Sequence, residues 1–469
     1  MSPADCRCGL CCITPPLMLE SIIQRAKRPS LKRWAEDTLA VTRSLREARL
    51  SATAPDPEPE MALRRRPEGK QRAVYSARQG QLLPGALIRP EGAPPTGDPA
   101  VDEAFDGAGA TYDFLKTVFG RAGIDGRDMR IVSTVHYGRG YDNAFWNGKQ
   151  MVYGDGDGEV FLRFTRSLDV IGHELAHGVT EHTSGLVYWE QPGALNEHFA
   201  DVIGSLVKQW RLGQKAEDAD WLIGAELLGP ELRQPPGHAV ALRSLKAPGT
   251  AYDDPLLGRD PQPAHMKDLY KGHADSGGVH INSGIPNLVF HRVAVALGGH
   301  AWEKAGRIWW RAFTEPGRMS PRASFREAAK ETIDCAGLLF GTREARLVAA
   351  AWDEVGVVPQ GVRKPGTRPG ARTAAAPKQA EPRTTAPKQA EPKKAEPKKA
   401  EPKKAEPKKA GAKKSTAKTA GAARPKTAAP KTAARKAAAK PPAKRKPAPK
   451  PPAAPPALAA RRPSPTRRA

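Results

Sequence analysis

Cysteine is almost missing from the body of this 469-residue chain. Four of the five, Cys6, Cys8, Cys11 and Cys12, crowd the first twelve positions, and only Cys335 lies beyond them. A disulfide framework for the main domain is therefore excluded. There is no run of 18 apolar residues, which excludes a membrane-spanning helix, and no Gly-x-y repeat, which excludes collagen. A secretory leader is not expected either. The apolar stretch from Leu10 to Leu19 is broken by Pro15 and Pro16 and is followed by Glu20. The expected location is cytoplasmic, or outside the cell by a non-classical route.

Acidic residues are scarce only at one end. Lys and Arg total 75 against 50 Asp and Glu. Residues 1–360 hold 43 basic and 45 acidic residues, whereas 361–469 hold 32 and 5, a net of +27. The same tail carries 21 of the 46 prolines and no Phe, Trp or Tyr. Without aromatics it lacks the apolar surface that would offset ordering its backbone, so disorder is expected. The pentad Lys-Lys-Ala-Glu-Pro repeats in tandem between 393 and 407.

Four segments follow from these shifts. Residues 1–72, net +5, suggest two short amphipathic helices, through Leu19, Ile22, Ile23 and Ala26 and through Leu31, Trp34, Leu39 and Leu45, then an exposed Ala-Pro-Asp-Pro-Glu-Pro-Glu linker. Residues 73–358, net −7, are the globular unit, expected as a β-containing lobe over 73–186 and a helical lobe over 187–358. The tail spans 361–469. Within the unit, Val101, Phe105, Ala108, Tyr112, Leu115 and Phe119 mark one helical face. Residues 130–137 and 159–164 read as strands joined through the Gly-Asp turn at 154–158. Stripes at Leu168–Val179 and Leu195–Trp210 predict helices, as do 284–298, 301–314, 322–340 and 342–355. The fold class is α+β with two lobes.

The strongest local signal is His173-Glu174-Leu175-Ala176-His177. On a helix, residues four apart share a face, so both imidazoles can reach one cation, and zinc takes such nitrogens readily. Glu174 lies on the same turn, placed to take a proton from water. Glu197 offers a third ligand, and Asp201, four residues on, an acceptor for the free N–H of a ligand histidine. His198 is out of phase with both and reads as structural. Each of these residues has a plainer reading as an ordinary helix position; their joint order argues for the site.

The chain resembles the thermolysin family of zinc metallopeptidases. The resemblance rests on the His-Glu-x-x-His motif, on Asn196-Glu197 with Asp201, on Asp142-Asn143-Ala144-Phe145-Trp146-Asn147-Gly148, and on Gly277-Gly278-Val279-His280-Ile281-Asn282-Ser283-Gly284, in order across about 101–356. Pro15-Pro16-Leu17 and a short leading segment are similar to the protealysin-like branch, whose members are made as precursors. The resemblance implies a single catalytic zinc on His173, His177 and Glu197, with Glu174 as general base. It implies His280 and Tyr188 as oxyanion donors and Asp275 as the group orienting His280. It assigns Asn143, the Ala144 carbonyl, Trp146 and Arg243 to the substrate backbone. Phe161, Phe164, Val170, Ile223 and Leu242 would line an apolar pocket that selects a hydrophobic residue on the carboxyl side of the cut. One family feature is not expected: at the calcium pair Asp169 and Asp220 remain, but Lys208, Leu222 and Ala225 stand where further acidic ligands would be.

At the front, the precursor segment is expected to reach the active site and to be cut off between about Arg49 and Ala73. Its four cysteines are read either as zinc-blocking thiols, as a separate metal site, or as plain reduced surface residues. The tail is similar to Lys/Ala/Pro-rich linker-histone tails, which implies DNA or another polyanion as partner, with a spacer as the bland reading. The competing functional class is a nucleic-acid-associated protein in which the peptidase domain is a scaffold.

Overall fold

In the computed structural model, residues 11–51, 68–233 and 238–358 are described; the linker at 52–67, Cys6, Cys8 and the basic tail lie outside them. The chain opens with strand β1 (Cys11–Cys12), helix α1 (Pro16–Arg25) and helix α2 (Pro29–Ser51). The second helix is longer than expected, at 23 residues. Then come β2 (Arg72–Ser76), β3 (Ala86–Pro90), α3 (Pro99–Phe119), β4 (Ile131–Val135), β5 (Ala144–Trp146) and β6 (Met151–Tyr153). These strands form one sheet in the order β1-β5-β6-β4-β2-β3, with β2, β4 and β6 parallel and β5 antiparallel to β6. The edge strand β1 comes from the leading segment of the chain.

Helix α3 shows how local sequence sets an element. Asp98 caps it by accepting from the Ala100 N–H, Pro99 opens the first turn, and Gly120 closes it in the left-handed conformation. Its face of Val101, Phe105, Ala108, Tyr112 and Leu115 is buried against the sheet and the helix at Leu168–Glu181.

Residues 159–164 do not form the expected strand. Asp157 Oδ1 accepts the N–H groups of Glu159, Val160 and Phe161, so the donors a ladder needs are already used. Only a single bridge, Phe161 to Leu228, and a 3-10 turn at Phe164–Arg166 remain. The hairpin lies upstream instead, as β5 and β6.

From Leu168 the chain is largely helical: α4 (Leu168–Glu181) and α5 (Glu190–Leu212), then a stretch of two-to-three-residue strands β7 (Leu222–Ile223), β8 (His238–Ala239), β9 (Arg243–Ser244), β10 (Tyr252–Asp254) and β11 (Gly258–Arg259), and finally α6 (Ala274–Asn282), α7 (Gly284–Leu297), α8 (Ala305–Thr314), α9 (Phe325–Phe340) and α10 (Thr342–Glu354). The 301–314 helix thus starts at Ala305, after a turn. One apolar core runs from Ile13 in the precursor segment through both lobes to Val357.

Helices α4 and α5 pack along each other across the 186/187 boundary, and two glycines set their separation. A Cβ on Gly204 would lie 2.2 Å from the Asp169 carbonyl oxygen, and one on Gly172 would lie 3.1 Å from the Gly204 Cα. Gly204→Ala must push the helices apart. The expected cost is about 1–3 kcal/mol, with weaker metal retention, read by thermal melting and chelator competition. Unchanged values for both would show that this contact does not hold the helices.

Candidate active site

Helix α4 is buried around its whole centre, and so is the facing turn of α5. The Nε2 atoms of His173 and His177 approach to 3.0 Å, and Glu197 oxygens lie 3.5 Å from each of them. Among the described residues, His173, His177 and Glu197 form the one group whose ligand atoms converge as a metal requires, all within 4.8 Å of one another. Burial lowers the His173 pKa to about 4 and that of His177 to about 3, so both rings are neutral at pH 7, with lone pairs free to bind a cation. Glu197 Oε2 is buried without a hydrogen-bond partner. A buried carboxylate oxygen left so is costly unless a cation meets it. The donor set of two imidazoles and one carboxylate fits zinc.

The ligands are held from behind. Asp201 Oδ1 lies 2.9 Å from His173 Nδ1, and Asn196 Oδ1 lies 2.9 Å from His177 Nδ1. Asn196 was not singled out by spacing; its place immediately before Glu197 on α5 is the signal that pointed to it. Burial would raise the Asp201 pKa, but the Arg243 guanidinium and His173 together hold it far below the usual carboxylate range. Arg243 binds both Asp201 oxygens, and Asn287 on α7 donates to Oδ2 at 2.9 Å. His198 faces away, between Asn287 Oδ1 and the Trp309 indole N–H, each at 2.7 Å.

Glu174 is fully buried. Its Oε2 accepts the Trp146 N–H at 3.0 Å, and its Oε1 has no hydrogen-bond partner. Burial raises its pKa well above the usual carboxylate value, and nearby Glu197 adds to this. His280 Nδ1 lies 2.6 Å from Asp275 Oδ1, and the His280 N–H donates to Oδ2 at 2.8 Å. Burial opposes charging His280, but Asp275 and Glu197 outweigh it and raise its pKa. Tyr188 lies 3.2 Å from His280 Nε2 and donates a short bond to Glu197 Oε1. The loop that carries Asp275 is bent by four consecutive left-handed residues, Asp275 to Gly278. At Gly277 a Cβ would also lie 2.6 Å from Glu190 Cγ, so this turn needs glycine.

The leading segment of the chain occupies the cleft. β1 pairs antiparallel with β5, matching Cys11 to Trp146 and Cys12 to Phe145. Ile13 N–H donates to the Ala144 carbonyl at 3.2 Å, Arg243 Nη1 donates to the Ile13 carbonyl at 3.1 Å, and Thr14 N–H donates to Asn143 Oδ1 at 2.9 Å. Phe161, Phe164, Val170, Ile223 and Leu242 are buried in the same apolar cluster as Ile13. A cavity of about 270 Å³ remains between α1 and the helical lobe, beside Arg243 and His280. Neither described thiol of the segment joins the metal-ligand group: Cys12 Sγ accepts from Arg46 Nη2 at 3.0 Å, and Cys11 packs with Tyr188 and Val279. Burial pushes the Cys12 thiol up to about 11, so it is not a thiolate at neutral pH.

Beyond this cleft, the Lys208 ammonium lies 2.7 Å from both Asp169 Oδ2 and the Leu222 carbonyl, and 3.0 Å from Asp220 Oδ1. A positive charge already fills this cluster of oxygens.

The thermolysin metallopeptidase catalytic domain family matches residues 91–181, and the thermolysin metallopeptidase alpha-helical domain family matches 184–357. An extracellular metalloprotease of Pectobacterium carotovorum subsp. carotovorum is 48% identical over 349 residues, which is 74% of this chain and 96% of that protein. Protease PrtS of a Photorhabdus strain is 50% identical over 288 residues, 61% of this chain and 76% of its own. Among solved structures, the precursor of protealysin, a metalloproteinase from Serratia proteamaculans, matches with a TM-score of 0.65 at 45% identity, covering 74% of this chain and all of that one.

Asp201→Asn keeps the shape of the side chain but removes the charge facing His173. Zinc affinity is expected to fall about 10–100-fold, measured by competition with a chelating dye. Unchanged affinity would show that the carboxylate does not support the ligand.

Proposed function

This chain belongs to the thermolysin family of metallopeptidases, and from that membership we propose how its residues divide the work. It is a zinc metalloendopeptidase made as a precursor, with peptides as substrates. No described helix is long and apolar enough to cross a membrane.

In the proposed assignment His173, His177 and Glu197 hold the zinc. When bound, zinc supplies Lewis-acid polarisation of the scissile carbonyl and acidifies water. Glu174 takes the proton of the attacking water and passes it to the leaving amine; its raised pKa suits both halves of that exchange. Trp146 fixes the Glu174 carboxylate through its backbone N–H. His280, oriented by Asp275, and Tyr188 stabilise the negative charge that grows on the carbonyl oxygen. Asn143, the Ala144 carbonyl and Arg243 grip the substrate backbone. Asp201 positions His173 and Arg243 together. Phe161, Phe164, Val170, Ile223 and Leu242 favour a hydrophobic residue immediately after the cut. The observation that carries this reading is the buried convergence of two neutral imidazoles and a carboxylate beside a Glu174 oxygen with no partner. The family calcium pair is left out of the reading, because Lys208 already neutralises Asp169 and Asp220.

The segment 1–72 is assigned as the precursor region and the linker at 52–67 as the place of its removal. The Pectobacterium relative is named an extracellular metalloprotease, which favours secretion of this chain too.

Glu174→Gln is expected to retain zinc, counted by elemental analysis, while kcat on casein or a short peptide falls about 10²–10⁴-fold. Near-normal turnover would remove Glu174 from the role of base. The same assay separates the scaffold class, which predicts no hydrolysis by the unaltered protein.

A second activity rests on the +27 charge of residues 361–469. The tail is assigned to polyanion binding by counterion release, without sequence preference. Full-length protein should be retained on duplex DNA at low salt and released as salt rises, whereas a chain ending at 360 should not be retained. Short-peptide turnover should be equal for both. Equal DNA retention by both forms would exclude the tail.

A further inference from the structure

We infer that the precursor segment lies in the cleft in the polarity of a substrate, with the Cys12–Ile13 peptide bond in the scissile position, and that the enzyme slowly hydrolyses this bond within its own chain. The inference rests on the peptidase reading above and deepens it by naming an internal substrate and its register.

Each atom of that peptide faces the group a scissile bond needs. The Cys12 carbonyl oxygen accepts from His280 Nε2 at 2.9 Å, the donor assigned to the developing oxyanion. On the other side of the bond, the Ile13 N–H donates to the Ala144 carbonyl at 3.2 Å. One residue further, the Ile13 carbonyl is held by Arg243 and the Thr14 N–H by Asn143. The Ile13 side chain is fully buried in the apolar core. With the chain reversed, an amide nitrogen would face His280 Nε2 and a carbonyl would face the Ala144 carbonyl, and neither pairing would form a hydrogen bond of the kind seen. A branched apolar side chain directly after the bond is also what the apolar pocket selects.

Slow release follows from how the segment is tied down on both sides of the bond. Upstream, Cys11 and Cys12 add a strand to the β5 edge. Downstream, α2 is fixed to the domain: Thr38 Oγ1 accepts the Asp142 N–H at 3.0 Å, and Thr42 bonds the Tyr141 hydroxyl at 3.1 Å. Arg46 on α2 reaches back across the bond to Cys12 Sγ. The two new ends therefore stay in place at high effective concentration and rejoin more often than they separate. In the hydrolysis, water adds its oxygen to the Cys12 carbonyl carbon and the C–N bond breaks. The nitrogen of Ile13 takes both protons of that water, one as the bond breaks and one from the new carboxyl group, which leaves a Cys12 carboxylate and an Ile13 ammonium.

The test uses the full chain loaded with zinc, incubated over hours, then denatured, reduced and read by N-terminal labelling and mass spectrometry. A new terminus at Ile13 is expected, growing at a rate independent of dilution because the bond is already in place, and absent from Glu174→Gln. Ile13→Asp, which puts a charge into the apolar pocket, should lose cutting after residue 12. Arg46→Met, at a partly exposed position, should form the Ile13 terminus several-fold faster. Casein hydrolysis by the same samples separates the two levels of the claim. Hydrolysis of casein with no terminus at 13, or with one whose rate scales with protein concentration, overturns the register while the peptidase reading stands. No hydrolysis of casein and no terminus overturns both.

Discussion

Asp201 is a buried carboxylate whose charge is shared among groups from three parts of the chain. It holds His173 on α4, Arg243 on β9 and Asn287 on α7. An ion of that kind is tolerated in the interior only when every lone pair is met, because desolvation otherwise outweighs the attraction. The requirement works in both directions. Arg243 stays charged at the floor of the cleft because Asp201 is there, and the His173 tautomer is fixed because the same oxygen faces Nδ1. One carboxylate thus couples His173 of the metal-ligand group to the arginine that holds the Ile13 carbonyl. Loss of one contact would leave the others uncompensated.

Much of this was legible because helices advertise themselves by period. The i, i+4 spacing of His173 and His177, and of Glu197 and Asp201, places each pair on one helix face. Two such faces brought together by Gly172 and Gly204 make the site. The long helices after residue 284 were legible for the same reason. The sheet was not. Strands of two to five residues carry too few alternations to read, and at 159–164 a side chain, Asp157, captured the backbone donors that the apolar pattern seemed to offer a neighbour. The left-handed run from Asp275 to Gly278 was likewise hidden, since only its two glycines signal it. The Arg46 contact with Cys12 spans 34 residues and follows no motif.

The precursor segment also changes what the cleft is. Without β1, β5 would be the edge of this sheet, with backbone groups left for an extended chain to complete. β1 completes it from within the same molecule, so the exposed edge that would recruit a peptide is covered while the segment remains bound. The hydrogen bonds that hold β1 are thus ones that a separate extended chain would otherwise be free to make.

Lys208 has a different kind of consequence. A dissolved cation bridging Asp169, Asp220 and the Leu222 carbonyl would come and go with its concentration, and the loop from 220 to 224 would tighten or loosen with the medium. An ammonium on the α5 backbone has no such exchange. Its local concentration is set by four methylenes and a peptide chain, so the clamp between α5 and this loop is carried by the chain itself. At this corner, firmness depends on the covalent chain and no longer on what the surroundings supply.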